Sequence, residues 1–202
     1  MLNKIRMIIC FLLFIVLTSS VSLKACAIPT EQSLQNSIVS YWDFETDPND
    51  KYGTNNLIVS GATHTTDDKK LGSYSYYFDG TNDVLYNATA DISNNNNFTI
   101  GFWFNDLSST TVTRRWVVTT NGGFTTNTRM VRQSTDGTKS CQQYNGANAA
   151  FVANCWGAGW NYWVLVSNTT HQLLYRNNSL VSTILNGSST NPEIGLWIGG
   201  YY

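Results

Sequence analysis

The run Phe98-Thr99-Ile100-Gly101-Phe102-Trp103-Phe104 alternates without a break, with four large apolar residues on one parity and Thr99, Gly101 and Trp103 on the other. An extended chain points successive side chains to opposite faces, so this period of two, rich in aromatic and β-branched residues, predicts a half-buried strand. Upstream, Tyr74, Tyr76 and Phe78 alternate in the same way and stop at Asp79-Gly80, a strong turn pair. Two strands this aromatic need a second layer to cover them, which makes the stretch from Tyr74 to Phe104 the centre of a β-sandwich.

Composition supports a packed β domain. Charged residues make up only 12% of the 202-residue chain, but 42% hydrophobic and 13% aromatic content is far above what a disordered segment carries. Three of the 12 basic residues (Lys4, Arg6 and Lys24) fall near the N-terminus while all 13 acidic ones follow, so the remainder is acidic overall. That balance offers no electrostatic footing for nucleic acid. The basic pairs Lys69-Lys70 and Arg114-Arg115 read as solvated turns.

The N-terminus has the three parts of a secretory signal peptide. Met1–Arg6 is basic, Met7–Leu17 is unbroken apolar, and Ala25-Cys26-Ala27 is a small-residue cleavage site, which makes residues 1–27 the leader and 28–36 a lead-in. The apolar run is short for a membrane span of about 20 residues. A membrane attachment therefore requires an uncleaved leader or a lipid on Cys26, where Leu-Lys-Ala-Cys loosely matches a lipobox. A secreted or cell-surface location follows. After cleavage only Cys141 and Cys155 remain, 14 positions apart, and two such cysteines in an oxidising compartment are expected to form one disulfide.

Along the rest of the chain, Ser37–Phe44 is expected as the first strand and Asn56–Thr63 as the second. Thr128–Arg132 and Lys139–Tyr144 form an antiparallel pair across Thr135-Asp136-Gly137. Trp160–Val166 is apolar on both parities, which predicts an interior strand covered on each side. Gln172–Arg176 and Leu180–Leu185 pair across Asn177-Asn178, a dipeptide that tolerates the positive φ of a tight hairpin, and Ile194–Gly200 is the last strand. No segment has a helical period.

The order of these blocks resembles the laminin-G-like, concanavalin A-like jelly-roll domains. Tyr41-Trp42-Asp43-Phe44, Gly61-Ala62-Thr63, Tyr77-Phe78-Asp79-Gly80-Thr81-Asn82-Asp83, Phe98–Phe104, Trp160–Val166, Leu174–Asn178 and Ile198-Gly199-Gly200 are similar to that family's successive motifs. The resemblance implies an all-β jelly-roll sandwich of two antiparallel sheets over residues 37–202. The family's usual strand after Ile-Gly-Gly has no counterpart before Tyr202, and that strand lies near the first one, so an unpaired edge along Ile38–Phe44 is expected.

The same broad fold hosts glycoside hydrolases, which need two carboxylates facing the substrate. The only glutamates are Glu31, Glu45 and Glu193, no strand carries an alternating Glu-x-Asp-x-x-Glu arrangement, and Asp43 with Glu45 has the i, i+2 spacing of one strand face. His64 and His171 have no nucleophile motif beside them. A non-catalytic module is the better expectation, with hydrolase a distant third. Asp79, Asn82 and Asp83 place hard oxygens around one turn, with Asp47 and Asp50 in an earlier loop, and calcium is the metal such ligands would take. The same residues also serve as plain turn formers. Aromatic side chains off the core parity or in loops, namely Trp103, Trp116, Tyr144, Trp156 and Tyr162, are the candidates for stacking on sugar rings. Core packing is the competing role for each. Two partner classes follow: a glycan, or a cell-surface protein bound by an adhesion or spacer module. Sequons at Asn87, Asn97, Asn168, Asn177 and Asn186 would accept glycans in a eukaryotic secretory route.

Overall fold

The computed structural model describes residues 35–91, 97–107, 115–120, 130–133, 140–145, 148–186 and 194–199, with the side chains of 115, 116 and 130–133 left out. The expected leader, with Cys26, and the turn at Thr135-Asp136-Gly137 lie outside the described residues. A compact unit runs from Ile38 to Tyr202.

This unit is all-β among the strands described. In chain order they are β1 (Ile58–Ser60), β2 (Thr63–Thr65), β3 (Ser75–Tyr77), β4 (Val84–Asp91), β5 (Phe98–Asn105), β6 (Arg115–Thr120) and β7 (Met130–Gln133). There follow β8 (Cys141–Tyr144), β9 (Ala149–Val152), β10 (Trp160–Ser167), β11 (His171–Arg176), β12 (Ser179–Leu185) and β13 (Ile194–Gly199). A seven-stranded antiparallel sheet has the order β1-β4-β13-β6-β7-β8-β9, and a four-stranded one the order β12-β11-β10-β5. A short ladder, β2-β3, stands apart from both.

The two larger sheets share one core, in a sandwich-like pairing. Leu85, Val118 and Leu196 of the first join Trp163, Leu165 and Leu174 of the second in a single buried cluster. Alternation explains the choice. On β10, Asn161, Trp163, Leu165 and Ser167 are buried while Tyr162, Val164 and Val166 are half-buried. The strand is interior, between β5 and β11, as its composition suggests, but its second face has no full cover: an antiparallel sheet can leave one face solvated. On β5, Phe98, Ile100, Phe102 and Phe104 pack against the core.

The disulfide expected from the two cysteines is present. Cys141 on β8 and Cys155 in the loop before β10 are bonded, with Cα atoms 5.7 Å apart and both residues buried. Beside it, Trp156 packs on Trp163 and Phe104 at ring-centroid distances of 4.6 and 5.3 Å.

Two sequence expectations are corrected. Ile38–Phe44 enters no ladder. The Tyr41 N–H that a neighbouring strand would use is given to Asp50 Oδ1 at 3.0 Å, and the Tyr41 carbonyl accepts the Lys51 N–H at 2.8 Å. Phe44 then takes φ 59°, which ends any extended run, although Trp42 and Phe44 still pack against the core. The Asn56–Thr63 strand is split in two by Gly61 at φ 80°: β1 joins the large sheet, whereas β2 pairs with β3. By contrast, β7 pairs β8 and β11 pairs β12 as the patterns predict.

Candidate functional site

The outer face of the four-stranded sheet gathers the most chemistry. Antiparallel pairing of β5 with β10 sets Trp103 directly opposite Tyr162, and Asn105 opposite Trp160. The Trp103 and Tyr162 rings lie 5.2 Å apart, tilted by 48°, and Trp103 is 37% exposed. Gly101 lies on the same face, and a Cβ there would collide with the Tyr162 hydroxyl, so glycine lets the phenol lean across β5.

The loop after β2 supplies polar groups to this face. Asp68 accepts hydrogen bonds from the Trp160 indole N–H at 2.7 Å and from Asn105 Nδ2 at 2.6 Å. Two residues on, Lys70 Nζ stands 4.8 Å from the centre of the Trp103 ring, a cation–π contact. An aromatic pair, Trp103 exposed and Tyr162 half-buried, thus sits beside a carboxylate, an amide and an ammonium. Such a platform can stack on the apolar face of a ligand ring and exchange hydrogen bonds with hydroxyls at its rim.

The five aromatic candidates do not form one site. Trp103 and Tyr162 come together. Tyr144 is half-buried on β8, in the other sheet. Trp156 is 7% exposed, lies in the core and donates its indole N–H to the Ser140 carbonyl at 3.1 Å. The Trp116 backbone pairs with Arg132, and its side chain lies outside the described residues. Trp160, Asn105, Asp68 and Lys70 were not among the candidates. The first two share parity with Tyr162 and Trp103 and are legible on that ground, whereas Lys70 belongs to a basic pair expected as a solvated turn.

The acidic candidates are engaged with backbone. Asp79 Oδ1 accepts the Thr81 N–H, and Asp83 Oδ2 the Asp79 N–H, each at 2.7 Å, while Asn82 is exposed. Asp83 is 6% exposed and packed against Gly61. Two carboxylates and one amide fall short of the six to eight oxygens that calcium takes, and among the described residues no group of three or more His, Cys, Asp or Glu gathers for a metal. Asp47 pairs with Lys51 at 2.7 Å. Asp43 accepts the Glu45 N–H at 3.1 Å, and Glu45 accepts the Ser73 N–H at 3.0 and 2.9 Å, so both acids close loops.

Asp50 is the most heavily bonded carboxylate. Its Oδ1 accepts the N–H groups of Tyr41, Tyr52 and Gly53 at 2.9 to 3.0 Å, and its Oδ2 that of Asn55 at 3.1 Å. Burial opposes its charge, but the bonds from Gly53, Tyr41 and Tyr52 outweigh burial and bring the carboxyl down to about 2.

No protein-family model matches this chain, and no curated protein matches it either.

Proposed function

We propose that the unit is a laminin-G-like, concanavalin A-like jelly roll acting as a secreted, non-catalytic glycan-binding module, with Trp103 and Tyr162 as its sugar platform. The carrying observation is the register-paired couple of exposed Trp103 and half-buried Tyr162, rimmed by Asp68, Asn105 and Lys70. Sugars present C–H faces to aromatic rings and hydroxyls to carboxylates and amides, and this face offers both. A buried disulfide suits an extracellular setting. Screening on a glycan array, followed by titration of the best polysaccharide, tests the reading. Trp103→Ala is expected to weaken binding about tenfold or more with an unchanged circular dichroism spectrum, since the side chain faces outward. A blank array across diverse polysaccharides would discard the platform.

A second reading is an adhesion or spacer module for a cell-surface protein. The edge position of β5 favours it: among the described residues the strand is paired only with β10, it spans eight residues, and it carries no charge or proline to deter another strand. A blank array together with capture of a defined surface protein would favour that role.

A further inference from the structure

We infer a second binding site, for a carboxylate-bearing sugar, in the cleft between the loop that follows β9 and the β11–β12 hairpin. The cleft has a volume of about 320 Å³, close to the lower bound of about 300 Å³ for small-molecule sites and suited to a short saccharide. Val152, Asn154, Arg176, Ser179 and Leu180 line it, and no carboxylate does.

Arg176 defines the chemistry. It is half-buried and, among the described residues, forms no ion pair. Its Nη1 donates to the Cys155 carbonyl. A guanidinium has five N–H donors and stays charged at any physiological pH, so one carbonyl leaves most of the fork unused. A fork of this kind is matched by a carboxylate, which accepts two parallel bonds from it. Leu180, 55% exposed, and Val152 give an apolar wall for the C–H face of a pyranose, while Asn154 and Ser179 can meet its hydroxyls.

Both walls are held in advance. One is tied by the Cys141–Cys155 bond, and Asn154 takes φ 52° at its lip. The other is the hairpin, whose Asn177 accepts the Tyr162 N–H at 2.9 Å and donates to Asn161 Oδ1 at 2.8 Å. A site formed before the ligand arrives loses less ordering entropy on binding. A neutral hexose would leave the fork without its charge partner. The ligand class is therefore a uronate, and only the sugar part of this statement rests on the glycan reading above.

The test uses the disulfide-bonded protein and a glucuronate-containing oligosaccharide, compared by calorimetry with the same oligosaccharide after carboxyl reduction. The acid form is expected to bind about tenfold tighter, a preference that shrinks with salt. Arg176→Gln should erase the preference, and Arg176→Lys should keep part of it. Sodium glucuronate should also shift the Arg176 Nε–H resonance of the wild-type protein, with glucose as the silent control. Equal affinity for both oligosaccharides overturns the inference while leaving a neutral-glycan platform standing. A silent Arg176 resonance overturns it whether or not any glycan binds. Because Arg176 also holds the Cys155 carbonyl, the reduced ligand and the resonance carry the test should Arg176→Gln fail to fold.

Discussion

Asp50 shows how much one carboxylate can organise. A segment that fails to become a strand is instead fastened by it, since four backbone N–H groups from Tyr41, Tyr52, Gly53 and Asn55 converge on its two oxygens. Hydrogen bonds to an ionised acceptor are about twice as strong as neutral ones. With a folded value of about 2 against an ordinary 3.8, the folded chain binds this proton less tightly than the unfolded chain does. The carboxylate's contribution is therefore complete above about pH 4 and is lost as pH falls through about 2. Its size is about 2 kcal/mol. Urea unfolding followed from pH 5 to pH 2 should show that loss, and Asp50→Asn, which has no charge to protonate, should be less stable at pH 5 and flatter across the window. Equal slopes for the two proteins would remove Asp50 from this role.

The β11–β12 hairpin separates two asparagines that look alike in sequence. Both central residues have positive φ, 47° at Asn177 and 68° at Asn178, as a two-residue type I′ loop requires. Asn177 uses its amide on Tyr162 and Asn161, whereas among the described residues no such bond ties Asn178. Glycine occupies this φ without a Cβ penalty. Asn178→Gly is therefore expected to raise stability by a few tenths of a kcal/mol, and Asn177→Gly to lower it by about 1 kcal/mol, in paired thermal melts. The reverse order would mean that backbone strain outweighs the Asn177 bonds. This hairpin was legible because its turn chemistry is local, and so were β5 and β10, whose alternation any short window displays. Register was less legible. That Trp103 meets Tyr162 depends on how two distant strands align, which parity alone leaves open. Asp68 was beyond reach, because a polar loop has no period and its bond to Trp160 spans 92 residues. Trp156 does lie in a loop, but its burial is not legible, because the sequence shows the small residues around it and not how the loop beside the buried Cys155 folds into the core.

The Cys141–Cys155 disulfide ties β8 to the loop that joins the two larger sheets. Cys141 belongs to β8 of the seven-stranded sheet, and Cys155 lies in the loop that leads from β9 into β10 of the four-stranded one. The bond holds Trp156 against Trp163 and Phe104, so the cross-link and the aromatic part of the core reinforce each other. Closing a loop of 14 residues removes unfolded-state entropy worth about 3 kcal/mol on the chain-entropy account. For a unit of this length that corresponds to a fall in Tm of about 6–12 °C on reduction. The two proposed sites should respond differently. The Trp103–Tyr162 platform is held by ladder bonds between β5 and β10, while one wall of the Arg176 cleft is tied by the disulfide itself. Reduced protein kept below its melting transition is therefore expected to retain affinity for a neutral glycan and to lose its preference for the acidic oligosaccharide over its carboxyl-reduced form. Calorimetry with and without reductant measures both at once. Parallel loss of the two affinities would show that the disulfide supports the whole unit rather than the cleft, and an unmoved Tm would show that it supports neither.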